Sequence, residues 1–399
     1  MLRALLGIVV MLAALWVVVK LVLGVVTRLR HTVEELGGMG DEILVFAPSG
    51  GPESYAGARV YGVPGVPFPP YPEKKLCPPH PGVGRTLRSF RPDLVHAVNP
   101  VVLGAGGVYY ARRYGVPLVA SYHTKLTAYA RHYGLGFAEW LGRAQLKALH
   151  NRATVNLCNS EADSDELLRW GVKRVRVWPH GVDSRGFRPG RASGAWRAKL
   201  SGGNPEDKIL LSVGRLAPEK DLGRLKAVLE GIPGTRLAIV GDGPARRTLE
   251  RAFAGTPTVF TGFLHGEELA AAYASSDVFL FPSTTDTLGL AMVEALASGV
   301  PVVASRSGAS REVVDDGRSG LLYEAGCARS LVGSVRRLVA EPGTREAMGK
   351  VGRAAAERRD WGTSARALRR YYEGARRLEA SCPSPARSSP TDSGAASSC

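Results

Sequence analysis

The sequence predicts an α/β protein of two doubly wound domains facing a cleft, preceded by an apolar helix. Three observations carry that prediction. Short β-rich runs alternate with helical stretches from Asp41 onward. The alternation stops at a Gly/Arg/Pro-rich stretch, GFRPGRASGAWRAKLSGGNPEDK (186–208), and then restarts. The runs are continuously apolar, as parallel strands covered on both faces should be.

The elements follow in order. Leu5 to Val26 are apolar apart from Lys20, with Arg3 before them and Arg28 and Arg30 after. About 20 apolar residues span a bilayer as a helix, and Lys20 can snorkel near an end. Residues 1–30 are therefore expected to form a membrane anchor. A signal peptide is the rival reading, but no clear small-x-small cleavage site follows. In the first half, 31–190, the expected strands are EILVFAP (42–48), DLVHAV (93–98), PLVASYHT (117–124), ATVNLCNS (153–160) and RVRVWPHGVD (174–183). Helical patterns lie between them at 104–115 and 137–152. Residues 186–208 read as a linker. In the second half, 207–355, the strands are ILLSVGR (209–215), RLAIVGDGP (236–244), TVFTGF (258–263), DVFLFPS (277–283), PVVAS (301–305) and GLLYEAG (320–326). Helices rich in Ala and Arg close the fold over 356–380. The Ser/Pro-rich tail, 381–399, is expected to be disordered.

Composition excludes some functions. The net charge of +16 favours polyanions or anionic membrane surfaces. The basic residues are scattered, however, with no aromatic-interleaved stripe and no zinc-finger spacing, so nucleic acid is not the expected partner. The five cysteines are odd in number and widely spaced, without a C-x-x-C. That argues against a disulfide scaffold or structural zinc and fits a reducing compartment.

Ligands of such sheets bind outside the carboxyl ends of the strands. There the stretch FPSTTDTLGLAMVEALASGVPVVAS (281–305) stands out. Phe281 ends a strand, and Ser283, Thr284, Thr285 and Thr287 are helix-start residues. A helix is predicted over Leu288–Ala297, stopped by Gly299. Its first amides, at Thr287, Leu288, Gly289 and Leu290, and its positive dipole end would suit a phosphate. Gly289 would let a ligand approach the backbone closely. Glu294 is the one carboxylate in that apolar helix, and a buried carboxylate needs a partner. The partner could be a salt bridge or capping contact, or ligand hydroxyls such as a ribose diol. Asp286 could favour the helix dipole or bind a sugar hydroxyl. In VGRLAPEKDL (213–222), Arg215 and Lys220 leave a strand end together. Alone they read as a solvated loop; beside a helix start they can hold a diphosphate. His123, in SYHT, follows a first-half strand on the side of the expected cleft. A lone histidine is usually structural, but a strand end is where function concentrates. DSD (163–165) matches a metal–nucleotide D-x-D, yet its polar run reads better as a helix start. GDGP (241–244) is not a full G-x-G-x-x-G, and neither a Walker lysine motif nor a nucleophile elbow occurs.

The set VGRLAPEK, IVGDGP, TGFLHGEELAAAYASSDVFLFPS, TDTLGLAMVEALASGVPVVAS and GLLYEAG resembles the retaining glycosyltransferases with two Rossmann-like domains. This is the GT-B fold, in its glycogen-synthase-like, metal-independent group. The resemblance covers about residues 24–375. MGDEILVFAP, YAGARVYGVP, RPDLVHAVNP, VPLVASYHT and PHGVD add a likeness to the sulfoquinovosyltransferases of sulfolipid synthesis and to bacterial lipid mannosyl- and glucosyltransferases. The resemblance implies transfer of a sugar to a lipid with retention, from UDP-sulfoquinovose to diacylglycerol in the first case. It implies that Arg215 and Lys220 bind the nucleotide-sugar diphosphate, that the backbone at Leu288–Leu290 completes the clamp, and that Glu294 holds the ribose. Asp286 falls at the first position of the family's E-x7-E motif, near the donor sugar, and His123 matches a histidine near the reacting centre. Asp replaces the commoner Glu at 286, which leaves the sugar open, and His180 stands where Asn or Lys is more usual. No metal or cofactor is implied. The implied partners are a nucleotide-sugar donor, a lipid acceptor (diacylglycerol) and a membrane surface. The implied location is membrane-associated: a chloroplast envelope or stromal face in a plant or alga, otherwise the cytoplasmic membrane. In relatives a first strand and glycine loop precede the helix that here begins GVVTRLRHTVEEL (24–36). Either the anchor replaces that strand or the gene's start is mispredicted. A catalytically dead, membrane-bound relative is the competing class. A nucleotide-dependent epimerase also has two such domains, but the linker and the T-D-T-L-G-L…E pattern argue against it.

Overall fold

The computed structural model describes residues 22–68, 71–100, 103–123, 139–204, 206–286 and 289–381. The expected anchor up to Leu21 and the expected disordered tail from Cys382 lie outside them. Among the described residues no helix is long and apolar enough to cross a membrane.

The first half opens with a helix, Val22–Gly38, where the resemblance places one at 24–36; residues 22–30, expected to belong to the apolar segment 1–30, are part of it instead. Its strands are β1 (Leu44–Pro48), β2 (Ser54–Tyr55), β3 (Ala58–Val63), β4 (Val66–Phe68), β5 (Tyr71–Leu76), β6 (Val95–Val98), β7 (Leu118–Ser121), β8 (Val155–Cys158) and β9 (Val175–Val177). One continuous sheet is expected; the described residues form two main sheets and a hairpin. The first sheet has the order β1-β3-β2, the hairpin is β4-β5, and the other sheet is β6-β7-β8-β9, parallel throughout. β1 and β6 are not paired with each other. Side chains join the sheets instead: Phe46 and Tyr61 pack with Val95 and Leu103 in one apolar cluster.

The second half follows its prediction closely. Its strands are β10 (Lys208–Val213), β11 (Thr235–Val240), β12 (Thr258–Gly262), β13 (Val278–Phe281), β14 (Val302–Ser305) and β15 (Gly320–Tyr323). All pair in parallel in the order β12-β11-β10-β13-β14-β15. The order reverses between β10 and β13, so the loops leaving those two strands flank a crevice. Apolar clusters cover both sheet faces, which is why the strands read as unbroken oily runs.

Two segments depart from expectation. Within the predicted linker, Gly194–Leu200 is a helix capped by Ser193. Trp196 and Leu200, four residues apart and so on one helix face, join the second half's core. Arg197 also pairs with Asp277 at 3.0 Å. The last helix, Trp361–Ser381, returns to the first half. There Ala365, Leu368 and Ala375 pack with Leu36, Val119 and Trp178. The chain therefore crosses between halves twice, and the crossings touch. Val182 N–H donates to Arg359 O at 2.7 Å, and a side chain at Gly181 would meet Trp361 Cα at 2.6 Å.

Candidate active site

The loop after β10 carries Arg215 and Lys220, and the loop after the neighbouring β13 carries Asp286. The structure brings the three together. Lys220 Nζ donates to Asp286 Oδ2 at 2.6 Å, and both side chains are largely buried. Arg215 pairs with Glu219, whose side chain is fully buried. Thr285 Oγ1 donates to Glu219 O at 3.3 Å, tying the loops once more. Arg215 and Lys220 line a cavity of about 20 Å³ with Pro282 and Ser283, room for about one water. The two cations are thus paired with two carboxylates. The glycines of GDGP serve this loop. A Cβ at Gly241 would lie 2.0 Å from Gly214 O, and one at Gly243 would lie 2.4 Å from Leu216 O. The loop is stacked on the backbone that aims Arg215, with Leu216 N–H donating to Asp242 O at 2.9 Å.

The helix behind β13 spans Leu290–Ala297, two residues shorter at its start than predicted. Gly289 is its N-cap, at φ 60° and ψ 27°. Left-handed backbone there cannot belong to the helix, which is the physical reason for the later start. A Cβ at Gly289 would also strike Met292 Cε at 2.5 Å. Leu288 and Thr287 lie outside the described residues. The amides of Leu290 and Ala291 open the helix, where an anion site would need them.

Glu294, one turn further along the same helix, is partly buried rather than wholly so. Its Oε2 accepts from the hydroxyl of buried Tyr273 at 2.9 Å. Burial nevertheless pushes its carboxyl up to about 7, against which the Tyr273 hydrogen bond works. Of the two partners considered from sequence, neither a salt bridge nor a cap is present among the described residues; a neutral hydroxyl is.

His123 sits at the carboxyl end of β7, as expected, but inside a buried network rather than open at a cleft. It is 2% exposed. Its Nδ1 is 3.1 Å from Asn159 Oδ1, and its Nε2 is 2.8 Å from Ser121 Oγ. Asn159 is oriented by Arg28, which donates to its Oδ1 at 2.8 Å, and by its own Nδ2, which donates to Tyr122 O at 3.3 Å. The tautomers follow. His123 Nδ1–H donates to Asn159, so Nε2 accepts from the Ser121 hydroxyl. Ser121 Oγ then accepts from His96 Nε2–H at 2.8 Å, and His96 Nδ1 accepts from Tyr372 O–H at 2.8 Å. Burial and the nearby Arg28 charge hold both imidazoles neutral. His96 falls to about 3 and His123 lies well below its ordinary value. His123's named hydrogen bonds all stay within the first half.

DSD resolves as a helix start: Ser160 caps the helix Glu161–Arg169 by accepting from Asp163 N. Asp163 is buried and Asp165 exposed, so the two do not share a face. Sequence reasoning missed Glu219, Tyr273, and the partners of His123. An R-x-x-x-E spacing marks Glu219; nothing local marks Tyr273 or Tyr372.

Two α/β sheets with loops converging at a strand-order reversal, joined by a chain that crosses twice, define a GT-B glycosyltransferase. The chain belongs to that family. Residues 22–185 match "Glycosyltransferase Family 4" and residues 197–355 match "Glycosyl transferases group 1". A sulfoquinovosyl transferase of Arabidopsis thaliana is 38% identical over 85% of this chain and 68% of its own. A GDP-mannose-dependent alpha-mannosyltransferase of Mycolicibacterium smegmatis is 39% identical over 88% of this chain and 93% of its own. An alpha-monoglucosyldiacylglycerol synthase of Streptococcus pneumoniae is 28% identical over 81% of this chain and 77% of its own. Among solved structures, a sucrose-phosphate synthase from Thermosynechococcus elongatus aligns at TM-score 0.71 and 22% identity, covering 87% of this chain and 92% of that one. An Anabaena protein in complex with UDP and glucose aligns at 0.67 and 19%, covering 83% of this chain and 99% of that one. At those identities the likeness is one of fold.

Proposed function

We propose that the protein transfers sulfoquinovose from UDP-sulfoquinovose to diacylglycerol with retention of anomeric configuration. The observation that carries a diphosphate-leaving reaction is the clamp, where Arg215, Lys220 and the amide end of Leu290–Ala297 sit on adjacent loops of one crevice. The donor's sugar–phosphate bond breaks, and the departing diphosphate's charge falls on those groups. Lys220 exchanges Asp286 for phosphate, which frees Asp286 towards the sugar. The acceptor hydroxyl attacks from the leaving-group side, its oxygen bonds to the anomeric carbon, and its proton passes to the leaving phosphate oxygen. Glu294 takes the ribose hydroxyls. His123, held in one tautomer by Asn159 and Ser121, braces the first-half side of the donor site from behind. Fixed cations do the work a metal would do, so the reading calls for none. A net charge of +16 supports docking on an anionic bilayer.

A second reading, lipid mannosyl transfer, is favoured by the near-equal identity to a mannosyltransferase. The test is a donor screen of the full chain with UDP-sulfoquinovose, UDP-glucose and GDP-mannose, using diacylglycerol vesicles as acceptor. Sulfolipid formed from UDP-sulfoquinovose alone is the expected result. Turnover of GDP-mannose alone overturns the first reading in favour of the second. UDP binding without any turnover assigns the chain to the inactive class.

A further inference from the structure

One buried charge in the first half is not used by the clamp. Arg28, from the helix Val22–Gly38, is fully buried. Its guanidinium donates to Asn159 Oδ1 at 2.8 Å, Trp178 O at 2.8 Å and Pro179 O at 3.2 Å. It also stacks on the Trp178 ring, 3.5 Å from the centroid. Every one of these partners is neutral. Among the described residues no carboxylate pairs with it, and its Nε is buried without an acceptor. Burying an unpaired cation costs several kcal/mol, roughly, and protein interiors normally pair such a charge. Here the surrounding groups add none of the missing negative charge. His96, His123 and His180 are all kept neutral beside it, His180 at about 3. His180 Nε2 is likewise buried without a partner among the described residues. Arg28 and His123 bind the same atom, Asn159 Oδ1, so the cation lies one side chain from the histidine that the resemblance places near the reacting centre.

We propose that Arg28, with His180 beside it, is the receptor for a strongly acidic substituent on the transferred sugar, a sulfonate on the reading above. The inference rests on that reading and deepens it. A sulfonate is fully ionised at all physiological pH and offers three acceptor oxygens, so it supplies the negative charge and the acceptor that the site lacks. A guanidinium suits it better than an ammonium, because it keeps its charge when buried and its Nε–H is the donor still without an acceptor. The same arrangement favours the acidic sugar over an unsubstituted hexose, which would leave the cation as unpaired as it is in the free protein. A specific sugar would thus be chosen in the first half while the nucleotide is held in the second. The bland alternative is that Arg28 merely braces the first helix against the Trp178–Pro179 backbone.

Calorimetric titration of the full chain with UDP-sulfoquinovose, UDP-glucose and UDP separates the cases. UDP has no sugar and is the internal control for folding of the second half. Arg28→Gln should weaken UDP-sulfoquinovose about a hundredfold and leave UDP within about twofold. Equal loss for both ligands, or for neither, overturns the inference. His180→Ala removes no buried charge and gives the same contrast, at about tenfold, should Arg28→Gln fail to fold. Wild-type protein that binds UDP-sulfoquinovose no more tightly than UDP-glucose overturns the functional reading itself, which is a distinct result from an unselective Arg28 variant.

Discussion

Glu294→Gln should make the free protein more stable and a worse enzyme. In the folded state the carboxyl is pushed from 4.5 to about 7 by burial. The folded protein therefore holds a proton that the unfolded chain has already lost. The cost of carrying the charge is absent below about pH 4.5, grows as pH rises towards 7, and is complete above it. At about 1.4 kcal/mol per pH unit, the full cost is at most about 3.5 kcal/mol. Gln keeps an oxygen to accept from the Tyr273 hydroxyl and cannot ionise, so it escapes this cost. Thermal unfolding at pH 8 should rise by several degrees over wild type, and unfolding at pH 4 should not change. Donor binding should move the other way. A charged acceptor of ligand hydroxyls contributes about 1.5–3 kcal/mol, so UDP affinity should fall by one to two powers of ten. In wild type, UDP should bind about tenfold more weakly at pH 6 than at pH 8, because binding must first remove the proton. That pH dependence should vanish in the variant. A variant less stable than wild type at pH 8, or one that binds UDP as well as wild type, refutes the assignment.

The remaining predictions concern the clamp. Asp286→Asn releases Lys220 from its 2.6 Å ion pair, so UDP affinity should rise a few-fold while sugar transfer falls. Lys220→Ala should cost about two to three powers of ten in turnover, and near-wild-type kcat would sink the clamp. Gly241→Ala places a methyl 2.0 Å from Gly214 O at φ 129°. It should lower Tm and raise the donor KM together, by about 1–3 kcal/mol of backbone strain that displaces Arg215; a raised KM with an unchanged Tm would mean the loop is not held by that contact.

The second half was legible because its strands are buried on both faces, so their apolar runs need no partner to be recognised. Arg215, Lys220 and Asp286 were legible as a set for the same reason: each leaves a recognisable strand end. Their free-state pairing was not, since Lys220 and Asp286 are 66 residues apart and nothing local links them. Helix periodicity located the helix behind β13 but overran its start, because only φ at Gly289 distinguishes a cap from a first turn. In the first half, Arg28 reads as one flank of an apolar segment. Its real partners are 131 to 151 residues away. The Ala/Arg pattern of the last helix predicts a helix without saying which half it will cover.

That last helix has a consequence for anyone who would cut the molecule in two. Residues 31–190 look self-contained along the chain, yet a fragment ending there would lose Ser364, which accepts from Trp178 Nε1 at 3.1 Å. It would also lose Tyr371, which donates to Val177 O at 2.8 Å, and Tyr372 from the histidine relay. The two lobes are interleaved rather than strung in series. A first-half fragment made for separate study must carry the helix Trp361–Ser381 as a second piece, supplied in trans or spliced on through a new loop.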